Sequence, residues 1–450
     1  MDIKSKSILI LGFGITGVSS ARALSKMGAE IFVLDDNIEE ILKKNPEYGE
    51  IKFKVLENID HIQSNQFEFC IKSPGIHPEN KYIKRIKEKN IEIISDLELA
   101  YRLYGNRRIV AITGTNGKTT TTSLVGEIFK TTGIKTHVIG NIGVGILNAF
   151  ESGGEDDIYI IECSSFQLHD IRYFRAGTAT IINITEDHLD WHGSMESYIN
   201  DKLKIFDNSL KSDISIINYD DLILKNQIKN INGDIKLISR YEEVDNGVFI
   251  RGDSIIIRDN VEKVLMNRSQ IKLPGEHNLE NILIAIAIGY YSGVDESTIL
   301  NCVKNFNGVE HRIEFVRKIH GVKYYNDSKG TNVDATVNAI RSFESGIVLI
   351  AGGYDKGVEF DELFEVFDNR VKALVLLGQT KDKIIKTAKS HEFRNIFIAD
   401  DMREAVKISH DISMDGDTVL LSPACASWGM YDNFEERGKD FKRWVQKLGE

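Results

Sequence analysis

The sequence predicts an α/β protein built on mostly parallel sheets and arranged in three consecutive segments. Short apolar runs rich in Ile and Val alternate with helical patterns along most of the chain. Strands that alternate with helices imply a parallel sheet covered by helices on both faces. Gly-rich turns follow several of the runs, and in such sheets ligands gather at the carboxyl ends of the strands. We therefore expect binding loops at those ends.

Length and composition are those of a packed globular protein. At 450 residues the chain is expected to form two or three domains of roughly 150 residues each. Hydrophobic residues make up 42% of the chain and charged residues 27%. The formal net charge of −11 argues against a general nucleic-acid-binding surface, so no nucleic-acid partner is expected.

Cysteine usage and the first residues predict a reducing compartment. Four cysteines lie far apart without paired spacing, which supports neither a disulfide framework nor a zinc cluster. The first six residues run into a short apolar strand and are too few for a signal peptide or a spanning helix. The chain is therefore expected in the cytoplasm, without a membrane partner.

The first segment, residues 1–97, opens with a strand at 8–11 and a glycine pattern at Gly12, Gly14 and Gly17. A second strand ends in Asp35. This is the arrangement in which a backbone approaches a diphosphate closely and a carboxylate reaches a ribose. NAD and a UDP-sugar both carry these groups, so the pattern leaves both open. A further strand at 67–71 leads to a turn at Ser73, another place for ligand contacts.

The second segment, residues 98–307, is organised around the stretch 113–120, Thr-Gly-Thr-Asn-Gly-Lys-Thr-Thr. It follows an apolar strand and opens a helix, as a phosphate-binding loop does. Lys118 would reach the β- and γ-phosphates of ATP, and the Thr119 hydroxyl would hold Mg²⁺. The strict pattern has a glycine where Ile112 stands, so this is a variant loop. The alternative is a Gly-rich turn without a ligand.

Polar residues close the later strands of this segment. Asn141, Glu162 and His188 each follow an apolar run, and Glu162 is a candidate second metal ligand. Residues 213–270 carry short strands and turn signals that predict a small antiparallel insertion. An apolar helix is predicted over 281–290.

The third segment, residues 308–450, predicts another array of strands and helices. Its strands are expected at 322–326, 347–351, 373–377 and 418–421.

Taken in order, the motifs of the chain resemble those of the Mur ligases, ATP-dependent amide-forming enzymes of peptidoglycan synthesis. The matching stretches span nearly the whole chain and are 113–120, 162–168, 183–188, 276–281, 311–312, 326–332, 352–357 and 421–427. The resemblance implies a Rossmann-like UDP-binding domain (1–97), a central P-loop ATPase-type domain (98–307) and a C-terminal Rossmann-like amino-acid domain (308–450). Within the family, the chain looks like the members that add D-glutamate to UDP-N-acetylmuramoyl-L-alanine.

The resemblance also implies roles for individual residues. The UDP-substrate would contact Gly14, Ile15, Thr16, Asp35, Ser73, Asn141 and His188. ATP would contact Gly114, Thr115, Asn116, Gly117, Lys118, Thr119, Thr120, Asn281, Arg312, Asp327 and Lys329. D-glutamate would contact Thr331, Lys356, Ser427 and Phe434. One departure is that Asp36 and Asn37 follow Asp35, where the family member compared has Arg or Thr.

Two Mg²⁺ ions and a modified lysine complete the set that the resemblance implies. The ions would be held by Thr119, Glu162, His188 and Lys202. Lys202 matches the family lysine that is carbamylated, a change that turns a cation into an oxygen-bearing anion suited to Mg²⁺. Lys118, His188 and Lys202 would carry the catalysis, and a monomer is expected.

The residues by themselves leave plainer interpretations open. His188 alone would favour a hydrogen-bonded core histidine, and a zinc pair with His192 lacks a third ligand at a fitting spacing. Lys202 could belong to a solvated helix face, and Lys356 to a solvated turn. Ser427 could simply cap a helix.

Other functions stay open as well. One is another Mur ligase or a folylpolyglutamate-synthetase-like ligase. A rival of a different class is an NAD-dependent dehydrogenase with an appended ATPase module. A third is a nucleotide-binding sensor without catalysis.

Overall fold

Across the part of the chain that the structure describes, the strands form three sheets, of five, nine and six strands. The computed structural model describes residues 1–57, 59–105, 107–140, 145–273, 275–355 and 357–449. The chain divides into two units, Met1–Lys272 with Glu276–Asn305, and Leu273–Gly275 with Phe306–Glu450. The first unit holds two sheets and the second unit holds one. Strands alternate with helices in all three, so the predicted α/β class is confirmed.

The first sheet is parallel, with strand order β3-β2-β1-β4-β5. Its central strand carries Ile8, Leu9 and Ile10, which are fully buried, as expected of a strand with both faces covered. The elements are β1 (Ser7–Leu11), α1 (Ile15–Lys26), β2 (Glu30–Leu34), α2 (Ile38–Lys44), β3 (Lys54–Val55), β4 (Cys70–Lys72), α3 (Lys81–Glu88), β5 (Ile93–Ile94) and α4 (Asp96–Tyr104).

The central sheet has the order β14-β13-β12-β11-β10-β9-β6-β8-β7. Its first part contains β6 (Arg108–Thr113), α5 (Lys118–Thr131), β7 (Thr136–Gly140), α6 (Ile146–Ser152), β8 (Ile158–Glu162), α7 (Ser165–His169), β9 (Thr178–Ile181), α8 (Leu189–His192) and α9 (Met195–Leu203). Its second part contains β10 (Ile214–Asn218), α10 (Leu222–Gln227), β11 (Asp234–Ser239), β12 (Gly247–Arg251), β13 (Ser254–Asp259), β14 (Val261–Asn267), α11 (Glu276–Tyr291) and α12 (Glu296–Asn305).

The predicted antiparallel insertion over 213–270 is wrong in its first half. Strand β10 pairs in parallel with β9 and β11, and β11 pairs in parallel with β12. Helix α10 connects β10 to β11, so this part continues the βα alternation of the sheet. Antiparallel pairing is confirmed for β12, β13 and β14, where the connections are too short for a helical crossover.

The third sheet has the order β15-β16-β20-β17-β18-β19. All its neighbouring strands pair in parallel except β15 and β16, which form a hairpin. The elements are β15 (Glu314–Ile319), β16 (Val322–Asn326), α13 (Val333–Arg341), β17 (Ile347–Ala351), α14 (Asp361–Glu365), β18 (Val371–Leu376), α15 (Lys381–Ser390), β19 (Ile396–Ile398), α16 (Met402–Ile412), β20 (Thr418–Leu421) and α17 (Phe434–Gln446).

Two strands of the third sheet carry little sequence signal. The predicted strands at 322–326, 347–351 and 418–421 match, and the one predicted at 373–377 begins two residues earlier. Strands β15 and β19 were not predicted, because both are sheet edges with partly exposed residues. Charged residues interrupt the apolar ones in β15, and the apolar run of β19 is only three residues long.

The predicted domain borders at 97 and 307 stay predictions. Helix α4 runs across the first of them, and the two sheets on either side belong to one unit. Among the described residues, no helix is long and apolar enough to cross a membrane.

Candidate active site

The glycine loop that follows β1 lies at the carboxyl edge of the first sheet. Strand β1 lies between β2 and β4, so the segments after these three strands meet there. Gly12 has φ +90°, and a Cβ at this position would lie 2.7 Å from Ser73 Oγ. The Ser73 hydroxyl donates a hydrogen bond of 3.1 Å to the Gly12 carbonyl oxygen. A glycine is therefore required for the two loops to approach this closely.

Asp35 holds the same loop from the end of β2. Its carboxylate accepts hydrogen bonds from the Phe13 amide at 2.7 Å and from the Asn37 amide at 2.8 Å. Helix α1 begins after Gly14 without a side-chain cap, and Ile15 is 82% exposed. The structure thus brings together five residues predicted to contact the UDP-substrate, namely Gly14, Ile15, Thr16, Asp35 and Ser73.

The predicted phosphate loop connects β6 to α5. Gly117 precedes the helix with φ +82°. The Thr115 amide donates to the Asn183 carbonyl at 2.9 Å, and the Asn116 amide donates to the Asn183 side-chain oxygen at 2.8 Å. The loop is therefore held in shape by the segment that follows the neighbouring strand β9. Gly114, Thr119 and Thr120 lie in the same loop and in the first turn of α5.

Asn281 of helix α11 contacts this loop directly. A Cβ on Gly117 would lie 2.1 Å from Asn281 Oδ1. That oxygen also accepts a hydrogen bond of 3.2 Å from the Thr121 hydroxyl. The predicted ATP contact Asn281 is thus brought next to the loop, although 160 residues separate it from Thr121 in the chain.

Two lysine side chains meet at one carbonyl oxygen of the loop. Lys118 Nζ lies 2.7 Å from the Gly114 oxygen and 2.7 Å from the Thr115 oxygen. Lys202 Nζ lies 2.9 Å from the same Gly114 oxygen and is 1% exposed. Burial, and then the charge of Lys118, lowers the pKa of Lys202 well below its ordinary value. Lys202 is therefore a buried amine and not a residue of a solvated helix face.

The predicted metal ligands lie around the same loop. Glu162 ends β8 and is opposite Ile112 of β6 in the sheet register. Thr119 is in the first turn of α5 and is buried. His188 precedes α8 with φ 52°, and its side chain is 48% exposed, so it is not a core histidine.

The donor chemistry fits Mg²⁺ in part. A carboxylate and a hydroxyl are oxygen donors of the kind that Mg²⁺ binds, usually together with substrate phosphates. Among the described residues, no group of three or more His, Cys, Asp or Glu side chains could hold a metal ion. An ion at this loop would therefore need ligands of other kinds, such as phosphate oxygens or the Thr119 hydroxyl.

Asp201, next to Lys202 in helix α9, is a buried carboxylate with several donors. His169 Nδ1 and His192 Nδ1 each lie 2.8 Å from its Oδ2, and Lys204 Nζ lies 2.9 Å from its Oδ1. Burial raises the pKa of Asp201, but the hydrogen bonds from the two histidines and Lys204 outweigh it and hold the pKa below its ordinary value. His192 Nε2 lies 3.0 Å from Ser165 Oγ, so both of its nitrogens are engaged and it does not form a zinc pair with His188.

The second unit collects another predicted set at the carboxyl edge of the third sheet. Asp327 follows β16 and is 4% exposed. Its carboxylate accepts hydrogen bonds from Ser422 Oγ at 2.6 Å and from the Ile313 amide at 3.2 Å. Burial raises the pKa of Asp327 to about 7, although the Ser422 hydrogen bond and Arg312 act against this. Arg312 and Lys329, the other predicted ATP contacts of this unit, lie on the adjoining segments.

The residues predicted to contact D-glutamate flank this carboxylate. Lys329 Nζ lies 6.0 Å from the centre of the Phe434 ring, and Ser328 Oγ donates a hydrogen bond of 2.7 Å to the Phe434 carbonyl oxygen. The Thr331 amide donates to the Lys329 carbonyl at 2.8 Å. Ser427 follows β20 and is buried.

Arg437 connects the two loops of this set. It donates to the Ser328 carbonyl at 2.8 Å, to Ser328 Oγ at 3.0 Å and to the Cys425 carbonyl at 3.0 Å. Burial lowers its pKa to about 10, so the guanidinium stays charged at neutral pH. Asn141 and Lys356, predicted to contact the UDP-substrate and D-glutamate, lie outside the described residues.

Sequence reasoning missed Asp201, Ser165 and Arg437 as parts of these arrangements. A signal was present for Arg437, because residues 437, 438, 441 and 445 form the buried face of α17 and an arginine at such a position requires polar partners. For Asp201 the signal was weaker. Its spacing from Tyr198 and Lys202 places the three on one side of α9, but only the fold shows the histidines that meet it.

Three protein families match successive parts of the chain. The Mur ligase MurD-like N-terminal domain matches residues 6–95, the Mur ligase middle domain matches 112–289, and the Mur ligase glutamate ligase domain matches 311–425. Among solved structures, a UDP-N-acetylmuramate-alanine ligase from Thermotoga maritima aligns with TM-score 0.55 and 19% identity over 98% of this chain and 99% of that one. A pseudomurein peptide ligase type C from Methanothermus fervidus aligns with TM-score 0.54 and 18% identity over 98% and 100%. At these identities the likeness shows the fold.

Relatives with higher identity cover the entire chain. A protein named UDP-N-acetylmuramoylalanine–D-glutamate ligase from Thermoanaerobacter sp. (strain X514) is 44% identical over 465 residues, with 100% of both chains covered. A protein of the same name from Clostridioides difficile (strain 630) is 44% identical over 452 residues, again with 100% of both covered. The resemblance that the motifs indicated is thereby confirmed, and the chain belongs to the Mur ligase family.

Proposed function

We propose that this chain is an ATP-dependent ligase that joins D-glutamate to UDP-N-acetylmuramoyl-L-alanine in the cytoplasm, as a step of peptidoglycan synthesis. The observation that carries the proposal is the full-length, 44% identity to relatives bearing that name. The phosphate loop with its two lysines supports it, because an amide ligase must first activate a carboxylate.

The reaction proceeds in two balanced steps. The substrate carboxylate attacks the γ-phosphorus of ATP, so an acyl phosphate forms and ADP leaves. The amine of D-glutamate then attacks the acyl carbon, phosphate departs, and the amine loses a proton. Phosphoryl transfer of this kind depends mainly on positioning and on neutralisation of charge.

Lys118 is the residue that neutralises the transferring phosphoryl group. Its ammonium now binds the carbonyls of Gly114 and Thr115, within the loop where phosphates would lie. On ATP binding it exchanges these carbonyls for phosphate oxygens. Mg²⁺, held by Thr119, Glu162 and His188 together with phosphate oxygens, would add further positive charge at this point.

Lys202 is the residue that we propose to be carbamylated. A neutral amine can attack CO₂, forming an N–C bond and releasing one proton. Burial and the nearby Lys118 charge lower the pKa of Lys202 and so favour the neutral amine over the ammonium form. The resulting carbamate is an anion beside Lys118 and would supply oxygen ligands to Mg²⁺.

In this proposal the UDP-substrate is held by Gly14, Ile15, Thr16, Asp35, Ser73, Asn141 and His188. Thr331, Lys356, Ser427 and Phe434 hold D-glutamate, whose two carboxylates need a cation and hydroxyl or amide donors. Arg312, Asp327 and Lys329 are also proposed to contact ATP, and the chain to act as a monomer.

The test is a phosphate-release assay with ATP, Mg²⁺ and UDP-N-acetylmuramoyl-L-alanine, screened over amino acids of both configurations. We expect release with D-glutamate and with none of the others. Release with another amino acid would instead favour a different ligase of the family. Titration with NAD separates the dehydrogenase alternative, which requires micromolar binding, and nucleotide binding without phosphate release would indicate a sensor.

The assignment of Lys356 has a separate test. Loss of a charge partner for a bound carboxylate costs roughly 2–4 kcal/mol, so Lys356→Ala should raise the KM for D-glutamate strongly and leave the KM for ATP nearly unchanged. Lys407→Ala, an exposed lysine of α16, is the control and should alter neither. A rise in the KM for ATP alone would place Lys356 in the nucleotide site.

A further inference from the structure

A continuous line of hydrogen bonds joins helices α7, α8 and α9. It runs from Ser165 through His192 to Asp201, and from Asp201 on to His169. The three heavy-atom distances are those of ordinary hydrogen bonds, from 2.8 to 3.0 Å. We call these four residues the Asp201 network.

Part of this network has the connectivity of a Ser-His-Asp catalytic triad, but its burial excludes that role. Ser165 is 4% exposed and the His192 ring has no exposed surface. The ring stacks on Phe166 and meets the edge of Tyr198. A hydroxyl enclosed in this way cannot reach a substrate carbonyl, so the network must act on the protein itself.

Three members of the network lie close in the chain to a predicted ligand of the phosphoryl-transfer site. Ser165 begins α7, three residues after Glu162. His192 ends α8, the helix that begins immediately after His188. Asp201 precedes Lys202 in α9. One buried carboxylate therefore connects three separate segments, each of which contributes one of these residues.

Tyr198 connects the network to the phosphate loop. Its ring lies against His192, with centroids 5.0 Å apart, and Lys202 Nζ lies 4.7 Å from the ring centre. Its hydroxyl lies 3.0 Å from Thr115 Oγ1. A displacement of His192 would thus be passed to Lys202 and to the loop by direct contact.

We propose that the Asp201 network is a positioning device that sets the mutual geometry of Glu162, His188 and Lys202. The proposal rests on the proposed function, since it assigns these three residues to the phosphoryl-transfer site. His192 and Asp201 act through their neighbours and touch no substrate. Partners that orient metal ligands in this way are typically worth about 10- to 100-fold in metal affinity or activity.

The test compares two histidine–aspartate pairs of the same unit. His192→Phe keeps a ring and removes both hydrogen bonds, and Ser165→Ala removes only the last one. The control is His137→Phe, because His137 Nε2 lies 2.7 Å from Asp157 Oδ2 at the amino ends of β7 and β8, the edge opposite the phosphate loop. For each variant, unfolding by denaturant, kcat and KM, and the Kd for Mn²⁺ in the presence of ADP are measured.

We expect His192→Phe to lower kcat and to raise the Mn²⁺ Kd by at least about 10-fold, with the KM for D-glutamate changed less than about 2-fold. Ser165→Ala should also lower kcat and raise the Mn²⁺ Kd, by a smaller factor than His192→Phe. His192→Asn, whose amide nitrogen can replace Nδ1 as donor to Asp201, should recover part of the loss. His137→Phe should lower stability and leave kcat and the Mn²⁺ Kd unchanged.

The proposal is overturned if His192→Phe and Ser165→Ala lower only the free energy of unfolding, as the His137 control does. Should His192→Phe fail to fold, Ser165→Ala decides by itself, because it removes a single hydroxyl. If the unmodified protein releases no phosphate with any amino acid, the proposed function fails, and the Mn²⁺ Kd with ADP still tests the network.

Discussion

Asp201 and Lys202 are neighbours in helix α9, and both are buried. The surroundings of Asp201 favour its charged form, whereas those of Lys202 disfavour it. The region around Asp201 offers two histidine nitrogens and an ammonium, and these donors hold the carboxylate pKa below its ordinary value against the effect of burial. The region around Lys202 offers a carbonyl and a hydroxyl, with a second lysine at the same carbonyl. Burial, and then the charge of Lys118, therefore lowers the pKa of Lys202, and the charge of Asp187, which acts in the opposite direction, does not outweigh them.

The hydrogen-bond and charge partners of a buried group therefore decide whether its charged form is favoured, and the depth of burial alone does not. The second unit shows the same contrast. Asp327 accepts hydrogen bonds from a hydroxyl and an amide, and burial raises its pKa to about 7. The structure thus separates Asp201, whose charged form is favoured by its partners, from Lys202 and Asp327, whose charged forms are disfavoured by burial and which lie at predicted binding loops.

The largest effect is expected on phosphate release when Lys118, the cation beside Lys202, is removed. Lys118→Ala should lower phosphate release by more than about 1,000-fold, because the transferring phosphoryl group loses its neutralising charge. The free energy of unfolding should change little, since the ammonium binds the carbonyl oxygens of Gly114 and Thr115 within its own loop. Phosphate release near the normal rate by a folded Lys118→Ala variant would contradict the role of this loop.

The second largest effect is expected for the stability of Asp201→Ala. Asp201→Ala should lower the free energy of unfolding by about 3–5 kcal/mol, because it leaves two histidines and Lys204 without their acceptor. Urea unfolding at neutral pH measures this. Asp207→Ala is the control, because Asp207 lies a short distance along the chain and burial raises its pKa, whereas the pKa of Asp201 is lowered. A loss below about 1 kcal/mol for Asp201→Ala would show that the network contributes little to the fold.

Asp327 allows the pH dependence to be tested with a defined sign. Its folded-state pKa of about 7 exceeds the ordinary 3.8, so the stabilisation is complete below pH 3.8 and is lost as pH rises to about 7. The loss contributed by this group is about 4 kcal/mol. Free energies of unfolding are measured from pH 4 to 8 for the wild-type protein and for Asp327→Asn. The two curves should converge or cross, because only the wild-type protein has the pH dependence that comes from Asp327. Parallel curves would contradict the raised pKa.

The smallest effect is expected for the stability of Lys202→Met. A lysine whose folded-state pKa is lowered costs stability, since the folded chain holds that proton less tightly than the unfolded chain does. Replacing it by an apolar side chain of similar length should leave the free energy of unfolding unchanged or raise it by about 1 kcal/mol. Activity should nevertheless be nearly lost, and short carboxylates should restore part of it in Lys202→Ala. A loss of stability in Lys202→Met comparable to that of Asp201→Ala would contradict the prediction that the buried lysine does not stabilise the fold.

Local sequence was sufficient where a single stretch contains the whole physical cause. The strand, the glycines and the lysine of the phosphate loop are adjacent, so the turn, the helix start and the place of Lys118 follow from the chemistry of eight residues. The same holds for the glycine pattern after β1. It also holds for β16, β17 and β20, whose apolar runs predict strands that are covered on both faces of a sheet. Edge strands β15 and β19, and the parallel pairing of β10 and β11, did not follow, because pairing partners and edges are set by the whole sheet.

What the sequence alone determined is the class of fold, the order of its binding loops and the family, since each rests on contiguous motifs. Only the tertiary structure decided which buried groups keep a charge. His169, His192 and Asp201 are separated by up to 32 residues, and their meeting at one carboxylate depends on how α7, α8 and α9 pack. A pKa is set by desolvation and by neighbours within a few ångströms, and a linear sequence does not contain those distances.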